Sequence, residues 1–164
     1  MKATVKASAF GHRASGRPGR PYNAPIATAQ KWATKLHTSL FRATDGKVGG
    51  RMLGSPVLLL AATGRKSGRR RTTPLLYLGD GGRYVIVASN GGAAKHPVWW
   101  LNLRADPEAT VEVGGRKTRV RATEARGAEK ARLWKEFIRM YPSYENYQER
   151  TDREIPVVLL DPIQ

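Results

Sequence analysis

The chain has 164 residues, 40% of them hydrophobic, with 29 Lys and Arg against 13 Asp and Glu and no cysteine. One ordinary domain accounts for that length, and the missing thiols exclude a disulfide scaffold, a cysteine nucleophile, an iron–sulfur cluster and Cys-ligated zinc. The formal charge of +16 is concentrated early: residues 1–75 carry 15 Lys and Arg with one acid, residues 76–164 carry 14 with 12 acids, so the first half is suited to an anionic partner.

Residues 1–28 read as a disordered basic tail, rich in Gly, Pro, Ser, Ala and Arg and without an apolar period. The start lacks the continuous apolar core of a signal peptide, and the expectation is a cytoplasmic protein. Residues 29–50 read as an amphipathic basic helix and linker. Trp32, Leu36, Leu40 and Phe41 recur at helical spacing from Ala29 to Ala43, with Lys31, Lys35 and Arg42 elsewhere on the wheel. Such a helix either packs on the domain or lies on an anionic membrane surface.

Residues 51–164 are the expected folded domain. Val57–Ala62, the longest apolar run, is a buried strand and far shorter than the roughly 20 residues of a spanning helix. Thr72–Leu78 is a second strand, and Gly79-Asp80-Gly81-Gly82 turns the chain into a third, Tyr84–Ala88. Asn90-Gly91-Gly92 is a loop, and Pro97 opens a short helix, Val98 to Arg104, that stops before Asp106-Pro107. Ala109–Val113 and Lys117–Ala125 flank a Gly114-Gly115 hairpin. Ala128 to Met140 is an amphipathic helix ended by Pro142, and Ile155–Leu160 is the last strand. About six antiparallel strands with two or three peripheral helices define an α+β fold, a small barrel with helical decorations.

Three segments carry chemistry. Arg65, Lys66, Arg69, Arg70 and Arg71 place five cations in seven residues, which repel one another unless an anion neutralises them. Gly64 and Gly68 let a ligand approach the backbone, and Ser67, Thr72 and Thr73 add hydroxyl donors. The glycine spacing is not that of a Walker loop, and the alternative is a solvated basic hairpin. Nucleic acid would suit the net charge, but no helix-turn-helix, RNP or zinc pattern accompanies it, and no aromatic interleaves with the basic run. In the second segment, Ser89 to Gly92 follow a strand directly, where backbone amides can meet the edge of a flat ring. Trp99 and Trp100, adjacent on a short helix, are not expected to share one core; either one packs inward or their helix faces a planar ligand. In the third, Tyr141, Tyr144 and Tyr147 lie roughly on one face of a helical turn, suiting an organic substrate or a cap on the barrel.

Taken in order, TGRKSGRRRTTPL, GGRYVIVASNGGAAKHPVWWLNL and MYPSYENYQERTDREIPVVLL resemble the deazaflavin-dependent nitroreductase family of actinobacteria, over about Arg51 to Pro162. The resemblance implies a split β-barrel of the FMN-binding type. It also implies coenzyme F-420, a deazaflavin with a phosphodiester and an oligoglutamate tail, in place of FMN. Arg65, Lys66 and Ser67 would hold the phosphate, with Arg71 and Thr73 beside the ring or its linker. Val87, Ala88, Ser89 and Asn90 would run along the ring edge, and Pro97, Val98, Trp99, Trp100 and Asn102 belong to the segment that would cover it. Tyr141, Tyr144 and Tyr147 would line the substrate site, with Tyr144, projecting into the barrel mouth, or Ser89 as catalytic hydrogen-bond donor. Arg69 and Arg70 would meet the glutamate tail. Asn90 stands where members often carry lysine, and Leu76 where some carry tyrosine, with Tyr77 on the opposite face.

The implied activity is hydride transfer from the reduced cofactor to a quinone, enone or nitro compound, without a metal and without specific nucleic acid. The family's association with quinones implies a peripheral location at the inner face of the cell membrane, which the basic helix would serve. The alternatives are a non-catalytic carrier of the deazaflavin and non-specific nucleic-acid binding through the first 75 residues.

Overall fold

The computed structural model describes residues 51–52 and 54–164; the expected tail and amphipathic helix lie outside the described residues. The strands are β1 (Arg51–Met52), β2 (Ser55–Thr63), β3 (Arg70–Asp80), β4 (Arg83–Val87), β5 (Glu108–Val113), β6 (Arg116–Glu124) and β7 (Val157–Pro162). Among the described residues three α-helices accompany them: α1 (Val98–Ala105), α2 (Gly127–Met140) and α3 (Ser143–Glu149), and a 3-10 turn covers Asn90–Gly92. The strands run in the order β1-β2-β3-β4-β7-β6-β5, every pair antiparallel. β2 also pairs with β5, from Leu59↔Glu112 to Ala62↔Ala109, so β2 to β7 close into a barrel with β1 as a two-residue extension. Closure removes the free sheet edges on which aggregation begins.

Side-chain alternation along the strands makes two cores from one sheet. Leu58, Leu60, Ile86, Val111, Val120, Val158 and Leu160 pack together inside the barrel. Their strand neighbours Val57, Leu76, Val85, Val87, Val157 and Leu159 face outward, where Leu133 and Phe137 of α2 and Tyr144 of α3 cover them. The expected opposition of Leu76 and Tyr77 holds: Leu76 belongs to the outer core and Tyr77 packs against the inner one. Asp80 and Arg83, paired at 2.7 Å in the β3–β4 turn, reach α2 through Arg132, 3.0 Å from Asp80, and through the Arg83–Glu129 pair.

Most element boundaries shift by one or two residues from expectation, and two of the shifts have a plain cause. β3 begins at Arg70 rather than Thr72, because Arg70 and Arg71 continue the ladder opposite Thr63 and Ala62. β7 begins at Val157 rather than Ile155; Pro156 has no N–H to donate, although its carbonyl accepts from Ala88 at 2.9 Å. The tryptophans correct a third reading. Trp99 and Trp100 are both buried in the inner core, with ring centroids 6.4 Å apart. Adjacent helical positions differ by about 100° in direction, and an apolar stripe of that width buries both when the helix sits across the end of a barrel.

Candidate functional site

The basic segment forms the turn between β2 and β3, and its backbone is tied to itself. Gly64 N–H donates to Arg69 O at 2.9 Å, while Ser67 and Gly68 N–H donate to Gly64 O at 3.0 and 2.7 Å. A Cβ on Gly64 would lie 2.9 Å from Ser67 Oγ and 3.1 Å from Arg69 O, so glycine lets the turn close this tightly. The neighbouring Arg65, Lys66 and Ser67 are exposed. The turn is also fastened to α1: Arg65 N–H donates to Asn102 Oδ1 at 3.1 Å, and Asn102 is only 2% exposed.

Between the turn and α1 lies a cavity of about 400 Å3. Gly64 to Ser67 form one wall, Arg71 to Thr73 the floor, and Val98, Trp99 and Asn102 the other wall. Arg71 and Thr73 reach it because they pair with Ala62 and Leu60, whose side chains face the barrel interior. Val98, 65% exposed despite being apolar, adjoins Trp99 in the opposite wall. Among the described residues Arg65, Lys66, Arg69 and Arg71 take part in no ion pair. Uncompensated cations, three hydroxyls and an apolar–aromatic wall in one cavity fit a ligand that joins a phosphate to a flat ring. That is the chemistry of coenzyme F-420.

Arg70 departs from this group. Its ladder partner is Thr63, so it faces outward, where Nη2 donates to Ala61 O at 3.1 Å and to Thr110 Oγ1 at 2.9 Å. It borders a second depression of about 280 Å3 on the barrel's outer face, shared with Glu112 and Lys117. Consecutive strand residues point to opposite faces, so Arg70 and Arg71 cannot serve one anion.

The remaining expected residues lie beside the cavity lining or apart from it. Ala88 and Trp100 are in the inner core, Val87 is in the outer one, and Pro97 and Ser89 are buried. Asn90 is exposed at φ 50°, a left-handed conformation that asparagine tolerates, and its Nδ2 donates to Lys95 O at 2.9 Å. The residue that replaces the family's frequent lysine therefore folds the loop onto itself. Tyr144 does not project into the barrel mouth. Pro142 turns the chain back over α2, and Tyr144, 6% exposed, packs 5.5 Å from Phe137, 5.4 Å from Tyr141 and 5.9 Å from Tyr147 between ring centroids. Burial, then Tyr147 and Tyr141, push its phenol well above the ordinary range, so it stays protonated. Its hydroxyl has no hydrogen-bond partner among the described residues, whereas the Tyr141 and Tyr147 hydroxyls lie 3.4 Å apart.

Arg153 is the residue that sequence reasoning missed. Its guanidinium reaches Ser89 O, Ala88 O, Ala93 O and His96 Nδ1, contacts that no spacing in one dimension reveals. Its presence in the TDREIPVV stretch was the available signal.

A closed antiparallel barrel with a cationic, tryptophan-walled cavity at its rim defines the split-barrel, FMN-binding-like class. The chain belongs to the F420-H2-dependent quinone reductase family, whose profile matches residues 32–162. It is 42% identical over 130 residues to F420-H2-dependent quinone reductases of Mycobacterium tuberculosis strains H37Rv and CDC 1551, spanning 77% of this chain and 87% of theirs. Among solved structures it is similar to an F420-H2-dependent reductase, FDR-A, with 40% identity and a TM-score of 0.60 over 65% of this chain and 94% of that one. It is likewise similar to a chain described as a domain-swapped dimer, with 34% identity and a TM-score of 0.62 over 84% of this chain and all of that one.

Burial lowers the pKa of His96, Arg153 and Arg104 lower it further, and Glu124 opposes them. The unfolded chain then takes up the proton first, so His96 lowers stability as pH falls through its ordinary value of 6.5 toward its folded value. Urea midpoints of the wild type and His96→Gln should differ by a constant amount at higher pH. Below about pH 6.5 the wild type should lose stability relative to the variant.

Proposed function

We propose that this chain is an oxidoreductase that binds reduced coenzyme F-420 and reduces a quinone or a related enone or nitro compound. The observation that carries the reading is the cavity itself: Arg65, Lys66 and Arg71, which take part in no ion pair among the described residues, face an apolar wall of Val98 and Trp99, in a member of this family. Oxidation of the reduced cofactor by menadione, followed by the gain of the oxidised deazaflavin's long-wavelength absorbance, tests turnover directly. Binding without turnover would make the protein a carrier.

When bound, the cofactor supplies a hydride, so the protein must bind, orient and exclude water. Arg65, Lys66 and Ser67 hold the phosphate through charge-assisted and hydroxyl hydrogen bonds, with Arg71 and Thr73 beside the linker or ring. The Val87–Asn90 stretch borders the ring edge, and the Pro97–Asn102 segment, including Trp100, supports the covering wall. Ser89, in the loop beside the cavity, is the proposed donor to the acceptor's oxygen, and Tyr141, Tyr144 and Tyr147 support that loop from the outer core. A peripheral attachment to anionic membrane is part of the same proposal, carried by the Trp32, Leu36, Leu40 and Phe41 spacing and its lysines.

Lys66→Ala should weaken F-420 binding by about 1.5–3 kcal/mol, read by quenching of deazaflavin fluorescence. Binding to the wild type should also weaken as salt rises. Unchanged affinity in the variant at low salt removes Lys66 from the phosphate site. Tyr144→Phe should leave kcat, kcat/KM and F-420 affinity nearly unchanged; a joint fall of kcat and kcat/KM by roughly tenfold to a few hundredfold would bring its hydroxyl to the acceptor's oxygen instead. A lowered Tm with unchanged kinetics would make Tyr144 a packing residue. Deleting residues 1–45 should abolish sedimentation with anionic vesicles and leave activity on a soluble acceptor intact.

A further inference from the structure

The loop from Ala88 to His96 runs between β4 and α1, and its carbonyls converge on one side chain. Arg153 Nη2 donates to Ser89 O at 2.6 Å and to Ala88 O at 3.2 Å, and Nε donates to Ala93 O at 2.9 Å. Nη1 lies 3.3 Å from His96 Nδ1, a contact in which neutral His96 accepts with its proton on Nε2. Arg153 has no carboxylate partner in any described ion pair. A guanidinium spent on three carbonyls and an imidazole is oriented by them and orients them in turn; it neutralises no charge.

Arg153 is itself held from below. Gln148 of α3 donates through Nε2 to Arg153 O at 3.0 Å and to Thr151 O at 3.3 Å, and its Oε1 accepts Ile155 N–H at 3.1 Å. A second contact fixes the same loop to α3. A Cβ on Gly92, which sits at φ +77°, would fall 2.6 Å from Tyr147 O, so the loop backbone lies directly on the tyrosine helix. Loop, Arg153 and α3 therefore form one unit.

The peptide plane makes this arrangement directional. C=O and the following N–H point in opposite directions across a trans peptide. With Ala88 O and Ser89 O drawn to Arg153, the N–H groups of Ser89 and Asn90 face away from it. Neither N–H has a protein partner among the described residues, while Ala88 N–H is held by Pro156 O and Gly92 N–H by Ser89 O. We infer that Arg153 is a positioning residue that holds the Ala88–His96 loop by its carbonyls, so that the Ser89 and Asn90 amides are presented as fixed donors to the edge of the bound planar ring. This rests on the reading of the cavity as the F-420 site, and adds to it a residue that touches neither cofactor nor substrate.

The test uses the full-length protein with Arg153→Lys and Arg153→Ala, alongside Lys66→Ala as a control on the cofactor site. Amide hydrogen exchange without cofactor should quicken at least tenfold across residues 88–96 in Arg153→Ala and stay unchanged in the barrel strands. F-420 affinity should fall roughly tenfold and kcat by more. Arg153→Lys, which keeps the charge and loses the fork, should recover only part of either. Millimolar guanidinium should restore Arg153→Ala toward wild type, which a merely misfolded variant would not allow. Unchanged exchange at 88–96 overturns the inference. So does faster exchange with wild-type affinity and turnover while Lys66→Ala still binds weakly, since the loop then holds no ring. If Lys66→Ala also binds F-420 like the wild type, the cofactor site itself has been misplaced and the inference falls with it.

Discussion

Because β2 hydrogen-bonds to β3 along one side and to β5 along the other, the sheet returns on itself. The rest of the structure depends on that closure. A closed ring has an inside, so Leu58, Leu60 and Ala62 become core while Val57, Leu59 and Ala61 face out. It also has a rim, and the β2–β3 turn with its cations stands there. α1 lies across the same end, with Trp99, Trp100 and Leu103 in the inner core, and the space between helix and turn becomes a cavity.

Crowding five cations into one turn raises the energy of the empty protein, and the fold divides them by strand parity. Arg70 turns outward onto Ala61 O and Thr110, while Arg71 turns inward beside Arg65 and Lys66. Among the described residues the inward set takes part in no ion pair, which leaves its charge free for the phosphate of the proposed ligand. A buried asparagine, Asn102, spends its carbonyl oxygen on Arg65 N–H, which keeps the turn and the tryptophan helix in a fixed relation without adding charge.

The aromatic residues belong to two separate systems. Trp99 and Trp100 are part of the inner core, whereas Tyr141, Tyr144 and Tyr147 sit with Phe137 and Trp134 over the outer face of β4 and β7. The Ala88–His96 loop joins them, since it continues from β4 into α1 and rests on α3 through Gly92. A change in the tyrosine helix can therefore reach the cavity through a backbone loop and not through ring contacts.

Much of this was legible in the chain. Alternation of apolar residues, paired glycines at the hairpins, Pro97 and Pro142 at helix boundaries and the run of cations in the β2–β3 turn are all local properties. They determined the strands, the helices, the barrel class and the cationic turn, because period, turn chemistry and charge density act over a few residues. The tertiary structure alone decided what depends on contacts between distant segments. It set the burial of both tryptophans, which needed a barrel end to sit across, and the opposite facing of Arg70 and Arg71, which needed a register. It placed Tyr144 in a second core, against Phe137 and Trp134. It also brought Arg153 to Ala88 and Ser89, more than sixty positions away in the chain. The partners there are main-chain carbonyls, which every residue carries alike, so the side chains along the loop hold no record of that contact.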